Sequence, residues 1–235
     1  MMKKTTLAFP LALLASLILA ACGGDSGVAG NSNGPVVLTV DSNGVSNFNS
    51  TALGSALASV AKESLNSKEL ESLAFMREEE KLAHDVYAYL DSLYRYINVF
   101  GNISNSESTH TEAVRQLLIR YEQTDPAANL AAGIYVNATL QTLYTQLVTR
   151  GAVSITEALR VGAAIEEIDI MDIQNALPGI DNQDIILVYE SLLKGSRNHL
   201  RAFAKSLQQQ GVVYEPQYLP VDQYNAIVNS AIERG

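Results

Sequence analysis

The sequence predicts an all-α protein: a bundle of four long helices, with a long, helix-containing crossover between the second and third helices. Two observations predict this class. From Ser67 onward, apolar residues recur at steps of three and four, the period of a helix that buries one face. Over the same region no segment alternates apolar and polar residues in the way that a half-buried strand does. The pattern therefore favours helices packed on helices.

The first two helices have recognisable ends. The first is predicted over about residues 68–97, with Ser67 as its N-cap, because a serine before an apolar periodic run is a typical start signal. The second follows Gly101, takes Ser104 as N-cap and continues to about Tyr121. These two helices form the first half of the bundle.

The second half of the bundle follows a long connection. A shorter helix is predicted in that connection over about residues 138–150. The third long helix starts at Ser154, which with Glu157 matches a capping box, and it ends before Pro178. The fourth covers about residues 184–210. Four helices with one long crossover are typical of bundles that build a metal site between facing helices.

The amino terminus carries an export signal. Lys3 and Lys4 precede an apolar run of about fourteen residues, which is too short to span a bilayer comfortably. The run ends in Leu19-Ala20-Ala21-Cys22, which resembles the bacterial lipobox whose cysteine is lipidated. We expect residues 1–21 to be a signal peptide and Cys22 to anchor the protein in the cell envelope, at the outer membrane if the host is Gram-negative. An ordinary secretory signal with a chance cysteine is the alternative.

The remaining chain divides into three segments. Residues 22–66, rich in Gly, Ser and Asn at their start, are predicted to be a flexible linker. Within it, residues 36–40 could form a stray strand and residues 52–65 a small amphipathic helix. Residues 67–211 form the helical domain, and residues 212–235 a carboxy-terminal extension that packs on it.

Composition restricts the partners. The net charge of −9 at pH 7 is unlike the basic surface of a nucleic-acid-binding protein. The single cysteine leaves no second thiol for a disulfide or a thiolate metal site. The expected partners are metal ions and, through the lipid anchor, a membrane, with no nucleic acid; a homodimer is an open alternative.

Each long helix places a carboxylate or an imidazole on its core-facing stripe. A buried unpaired carboxylate is costly, so four helices that each carry a ligand group point to a shared metal pair. Glu-x-x-His spacing puts both side chains on one helical face, about one turn apart. The predicted metal ligands are Glu80, Glu107, His110, Glu166 or Glu167, and His199.

Several blocks together resemble an uncharacterised ferritin-like family, a domain of unknown function, over about residues 67–225. The blocks are Arg77-Glu78-Glu79-Glu80-Lys81-Leu82-Ala83, Ser106-Glu107-Ser108-Thr109-His110, Gly162-Ala163-Ala164-Ile165-Glu166-Glu167, Gly195-Ser196-Arg197-Asn198-His199-Leu200 and Tyr214-Glu215-Pro216-Gln217-Tyr218. Glu80 followed by Tyr87 also resembles the first-helix pattern of ferritins and rubrerythrins. The resemblance implies a site for two iron ions, or manganese, with no organic cofactor and with Tyr87 near the metals as a catalytic residue.

The chain departs from the ferritin-like pattern at one position. Ser196 stands where a second Glu-x-x-His would place its glutamate before His199. Either Glu166 or Asp169 then compensates for the missing carboxylate, or the second ion is held weakly.

Three of the predicted site residues also have a simpler interpretation. Glu107 could be only the capping-box partner of Ser104, His199 a hydrogen-bonded core histidine, and Tyr87 a core aromatic residue. The titratable residues expected on solvated faces are Glu78, Glu79 and His84. Two functions follow: a di-iron oxidoreductase that oxidises Fe(II) or reduces peroxide or dioxygen, or a non-catalytic helical module that uses a structural metal or binds a protein partner.

Overall fold

A computed structural model describes residues 36–234. The predicted signal peptide and Cys22 lie outside these residues. None of the helices between residues 36 and 234 is long and apolar enough to cross a membrane.

The described chain is mostly helical, which confirms the predicted all-α class. A small antiparallel hairpin precedes the helices and pairs Leu38 with Phe48 and Val40 with Ser46. The elements are β1 (Leu38–Val40), β2 (Ser46–Phe48), α1 (Ser50–Ser59), α2 (Ser67–Leu93), α3 (Asn98–Arg120), α4 (Ala138–Gly151), α5 (Ile155–Ala176), α6 (Gln183–Gln209) and α7 (Val221–Val228).

The four long helices pack in two pairs, α2 with α3 and α5 with α6. The pairs meet through contacts of α2 with α5 and of α3 with α6, and α4 lies against α2 and α5. The core has two apolar clusters. One includes Tyr87, Phe100 and Phe203, and the other includes Leu73 and Leu117. Five of the predicted ligands lie along their helices between these clusters and form a polar layer inside an apolar core: Glu80, Glu107, His110, Glu166 and His199.

The start of α2 differs by one residue from the prediction. Asn66, not Ser67, is the N-cap: its side chain accepts hydrogen bonds from the backbone N–H groups of Lys68 and Glu69. The Glu69 carboxylate accepts from the Asn66 backbone N–H in return, at 2.9 Å, which completes a capping box. Asn66 and Ser67 can both cap a helix. Asn66 is the cap because its backbone is extended and the helix begins at the next residue.

The start of α3 was predicted too late. The helix begins at Asn98, so Ser104 is not its N-cap but a buried residue of the second turn whose hydroxyl donates to the His84 carbonyl at 3.3 Å. The alternative role of Glu107 as a capping-box partner is therefore wrong. Gly101 also lies within the helix. An added Cβ there would meet the Asp91 carboxylate at 2.8 Å, so this glycine marks close packing of α3 on α2, not a helix boundary.

The later helices lie close to their predicted bounds. Ser154 caps α5, accepting a hydrogen bond from the Glu157 backbone N–H at 3.2 Å. The Glu157 carboxylate, however, pairs with Arg150 and Arg160, so only half of the capping box forms. The chain leaves α6 through Gly211, whose φ of +73° lies in the left-handed region that glycine adopts easily.

Residues 38–59, placed in the predicted flexible linker, are ordered: β1 falls within the possible strand at residues 36–40 and α1 overlaps the possible helix at residues 52–65, whereas the pairing with β2 was not predicted. This part of the chain forms the hairpin and α1, which pack on α3, while β2 also contacts α6. Leu38, Phe48 and Leu53 are buried in the core cluster at this end of the bundle. The Gly- and Asn-rich composition marks the hairpin turn, where Gly44 has a φ of +84°.

Candidate metal site

Glu107, His110 and His199 form the centre of a buried cluster. Their ligand atoms lie within 4.8 Å of one another, a spacing that could hold a metal ion. Glu107 and His110 come from one face of α3 because they are one helical turn apart. His199 comes from the facing stripe of α6, and its ring stacks on that of His110 with centroids 5.3 Å apart.

Glu107 divides the cluster into two matching halves. Its Oε2 lies 2.9 Å from Nδ1 of His110, and its Oε1 lies 2.8 Å from Nδ1 of His199. Each imidazole has a second carboxylate on its outer side. Glu80 Oε2 of α2 is 3.4 Å from Nδ1 of His110, and Glu166 Oε2 of α5 is 3.5 Å from Nδ1 of His199. Glu107 is thus a central carboxylate flanked by two Glu–His pairs.

The opposite nitrogen of each imidazole faces one serine. Ser46 Oγ lies 2.8 Å from Nε2 of His110 and 2.9 Å from Nε2 of His199. Ser46 belongs to β2, and its backbone N–H donates to the Ser106 hydroxyl. Phe48, two residues on, packs edge-on against the His110 ring. The hairpin therefore closes the site on the side opposite the carboxylates.

Of the two adjacent glutamates on α5, Glu166 faces the cluster and Glu167 does not. The Glu167 carboxylate accepts hydrogen bonds from the Tyr214 hydroxyl and from the backbone N–H groups of Tyr218 and Leu219, each of the latter at 2.8 Å. Glu167 fastens the carboxy-terminal extension to the bundle, so its prediction as a metal ligand is corrected. One residue along a helix rotates a side chain by about 100°, which is enough to separate the two roles.

Tyr87 lies beside the cluster. Its hydroxyl donates to Glu166 Oε1 at 2.5 Å, and its ring packs on Phe203 with centroids 5.2 Å apart. Burial and the nearby Glu166 and Glu107 carboxylates hold the pKa of this phenol well above its ordinary value. Tyr87 is therefore a neutral hydrogen-bond donor that orients Glu166.

Ser196 and Asp169 meet where the second Glu-x-x-His would place its glutamate. The Ser196 hydroxyl donates to Asp169 Oδ2, while Asp169 Oδ1 is buried without a hydrogen-bond partner. Asp169 follows Glu166 by one turn of α5. Of the two carboxylates proposed to compensate for Ser196, Asp169 is the one that contacts it.

Glu78 and Glu79 were expected on a solvated face, and both are buried. The Glu78 carboxylate accepts from the backbone N–H groups of Val136 and Asn137, which holds the crossover before α4. Both carboxylate oxygens of Glu79 lack a hydrogen-bond partner. His84 lies apart from the cluster, half-buried, with Nδ1 3.1 Å from Asp85.

The electrostatics of the cluster are those of a carboxylate held between two imidazoles. Burial raises the pKa of Glu80 to about 7 even though His110 is adjacent. Burial would also raise the pKa of Glu107, but the two imidazoles outweigh it and hold that pKa well below its ordinary value. Burial would lower the pKa of His199, but Glu107 and Glu166 raise it to about 9. Without a metal, the imidazoles thus hold protons that balance the carboxylates.

Unpartnered atoms at the centre of the cluster match the donor set of a metal site. The Nδ1 atoms of His110 and His199 lie close to Glu107 but make no hydrogen bond, and Glu80 Oε1 and Asp169 Oδ1 also have no partner. Within residues 36–234, no lysine or arginine forms an ion pair with Glu80, Glu107 or Glu166. Imidazole nitrogen and carboxylate oxygen together suit iron, manganese or zinc. The residues present therefore fit a first-row metal.

Sequence reasoning missed Ser46. The residue lies in a Gly- and Asn-rich segment about sixty positions before Ser106, without periodicity that could place it at the site. The only local signal was the short apolar run before Asp41, which predicts a strand but not its partner.

Comparisons with known proteins agree with the resemblance at the level of an uncharacterised family. An uncharacterised protein of Methanocaldococcus jannaschii is 44% identical over 179 residues, which cover 76% of this chain and 96% of that protein. The crystal structure of a hypothetical protein from Methanococcus jannaschii superposes with a TM-score of 0.72 at 44% identity, covering 74% of this chain and 99% of the other. The profile described as an uncharacterised protein domain, DUF2202, matches residues 69–231. The chain belongs to this DUF2202 family.

Proposed function

We propose that the protein is a ferritin-like dimetal carboxylate protein, with iron as the metal and manganese as the alternative. The observation that carries this proposal is the central position of Glu107. Its two oxygens face two different imidazoles, and each imidazole has its own outer carboxylate. Two adjacent metal ions that share one bridging carboxylate would use all of these groups.

The energetic cost of the cluster supports a bound cation. Glu80, Glu107 and Glu166 are each at most 2% exposed. Burying several carboxylates together is unfavourable unless positive charge compensates them. Protons on two imidazoles supply part of that charge, and a metal pair would supply more while using the unpartnered Nδ1 atoms as ligands.

In this proposal each residue of the cluster has a defined role. His110 with Glu80 would hold one ion, His199 with Glu166 the other, and Glu107 would bridge them. Bound iron would supply the one-electron redox chemistry needed to oxidise Fe(II) or to reduce peroxide or dioxygen. Tyr87 would orient Glu166 through the hydrogen bond that its neutral hydroxyl donates. The apolar clusters above and below the ligand layer exclude water.

A structural metal site in a non-catalytic helical module is the second candidate. It is favoured by the complete burial of both imidazoles between two apolar clusters, because a metal there would join four helices and contribute to folding stability. Stopped-flow absorbance after mixing the Fe(II)-loaded protein with peroxide separates the two. A ferric product that forms faster than in buffer supports the oxidoreductase, and no increase over buffer supports the structural site.

Metal analysis tests the site itself. Protein expressed with ample iron should contain close to stoichiometric iron or manganese, and His110→Ala/His199→Ala should contain none. His84→Ala is the matched control, because His84 lies on the same bundle but outside the cluster. Full metal content in the double variant would show that the cluster is a hydrogen-bonded core feature.

We also propose that the protein is anchored in the cell envelope through a lipid on Cys22. The basic, apolar and small-residue order of residues 1–22 supports this proposal. Multiple acyl chains anchor a protein stably, whereas one chain binds only marginally. Cys22→Ser should move the protein from the membrane fraction to the soluble one. Membrane association that persists unchanged in this variant would refute the anchor.

A further inference from the structure

A second group of carboxylates lies between the Glu107 cluster and the protein surface. On α5, Glu166, Asp169 and Asp172 are spaced by three residues and therefore share one helical face. Each step advances about 4.5 Å along the helix axis, since the rise is about 1.5 Å per residue. The face leads from the cluster at Glu166 to Asp172, which is only half-buried.

Two of these carboxylates, Asp172 and Asp169, border open space. Asp172 lines a surface groove of about 480 Å³ between α2 and the end of α5, together with Ser72 and Met76. Farther in, Glu79 and Asp169 line a small cavity of about 10 Å³ beneath α4. That volume is about the size needed for one water molecule or a small ion.

Glu79 lines the inner cavity and interacts with a carboxyl group from each of the two spaces. Its principal charged neighbours are the carboxyl groups of Asp172, which lines the groove, and Asp169, which lines the cavity. Only 5% of the residue is exposed, and no N–H or hydroxyl group of the described residues donates to either carboxylate oxygen; the polar group beside them is the Asp172 carboxyl. Asp169 Oδ1 is likewise unpartnered. Buried carboxylate oxygens without donors, lining a cavity of ionic size, have the chemistry of a divalent-cation position.

We propose that Asp172, Glu79 and Asp169 form an uptake path with a transient divalent-cation position, leading from the surface groove to the Glu107 cluster. This inference rests on the proposed function, since the path needs a metal site at its end. Asp172 receives the hydrated ion in the groove. Glu79 and Asp169 then replace part of its hydration with carboxylate oxygens as it passes the apolar wall formed by Leu82 and Ile165.

Co(II) alone tests the path, because its visible absorption reports binding to imidazole and carboxylate ligands. Stopped-flow mixing measures uptake, and mixing the loaded protein with a chelator measures release. Removing an anionic group from the path raises the barrier in both directions. Glu79→Gln and Asp172→Asn should therefore slow uptake and release alike, uptake by about tenfold or more. Glu190→Gln, an exposed change on α6, should leave both rates at wild-type values.

The outcomes separate the path from the site. Wild-type uptake rates in both Glu79→Gln and Asp172→Asn would overturn the path while leaving the metal site standing. Faster release from Glu79→Gln would also overturn it, because that result would make Glu79 a ligand of the bound ion. A wild-type protein that binds no Co(II) would overturn both proposals. Because Asp172 is half-buried at the groove, Asp172→Asn keeps the test decisive if Glu79→Gln fails to fold.

Discussion

The hydroxyl oxygen of Ser46 lies 2.8 Å from Nε2 of His110. It is also 2.9 Å from Nε2 of His199. A hydroxyl oxygen has two lone pairs and can accept a hydrogen bond from both rings. In that arrangement both imidazoles carry a proton on Nε2, which leaves Nδ1, on the side of Glu107, to hold either a second proton or a metal ion. A serine outside the family-matched residues thus sets the orientation of both predicted histidine ligands.

Ser46→Ala should weaken metal binding without removing any ligand. Loss of a hydrogen-bond partner behind a metal-binding histidine typically costs about 10–100-fold in affinity, and we expect a loss in that range here. Ser55→Ala, an exposed change on the neighbouring α1, is the matched control. Competition with a chromophoric chelator measures both affinities. Equal affinities for the two variants would show that Ser46 does not orient the imidazoles.

Gly195→Ala should disturb the contact between the Ser46 hydroxyl and the His110 ring, because Gly195 of α6 packs against both. A Cβ at Gly195 would lie 2.6 Å from Cε1 of His110 and 2.9 Å from Ser46 Oγ, closer than packed atoms allow. Overpacking of this kind costs about 1–3 kcal/mol of folding stability, and it should also lower metal affinity. Gly54→Ala is the control, because nothing lies within 4 Å of an added Cβ there. Urea denaturation with and without metal measures both effects, and a neutral result at Gly195 would contradict the close packing of α6 on the site.

The metal-free protein should lose stability as the pH rises. The pKa of Glu80 is raised by burial to about 7, so its contribution to folding falls between about pH 4.5 and 7. Burial opposes the rise at His199, but Glu107 and Glu166 bring its pKa to about 9, so its contribution is complete below about pH 6.5 and is lost on the way to pH 9. The loss of either contribution lowers the free energy of unfolding as the pH rises.

Bound metal should reverse this pH dependence, because the metal replaces the imidazole protons and binds more tightly as they leave. The free energy of unfolding, measured in urea at pH 5, 7 and 9 with chelator or with metal, checks both statements. Parallel pH profiles in the two conditions would count against ligation by the histidines.

Tyr87→Phe should affect Glu166 specifically. The change keeps the ring that packs on Phe203 but removes the 2.5 Å hydrogen bond to Glu166 Oε1. Leaving this buried acceptor unsatisfied should cost about 1–3 kcal/mol of stability and weaken the metal position at His199. Tyr189→Phe is the control: it removes a part-buried hydrogen bond between the Tyr189 and Ser72 hydroxyls, 2.9 Å long, which involves none of the cluster residues. Calorimetric metal titration should detect a weakened class of site only in Tyr87→Phe; unchanged binding there would leave Tyr87 as a core aromatic.

The sequence by itself determined the helical class and most of the candidate ligands. A helix places residues three and four apart on one face, so Glu107 and His110 had to share a stripe wherever α3 began. The late start predicted for α3 therefore did not disturb them. The same periodicity placed Glu80, with Tyr87 seven residues on, and His199 toward the core. Local spacing carries this information because it depends only on backbone geometry.

Only the tertiary structure decided which neighbour each side chain meets. Glu166 and Glu167 are adjacent, and the carboxy-terminal extension that donates hydrogen bonds to Glu167 lies about fifty residues away. Glu79 is buried because α5 covers a face that α2 alone would leave to solvent. Ser46 reaches the histidines because a short hairpin, joined to the bundle by long-range contacts, lies across α3 and α6. Contacts between residues distant in the chain depend on how the helices and hairpin pack, which no local pattern in the sequence encodes.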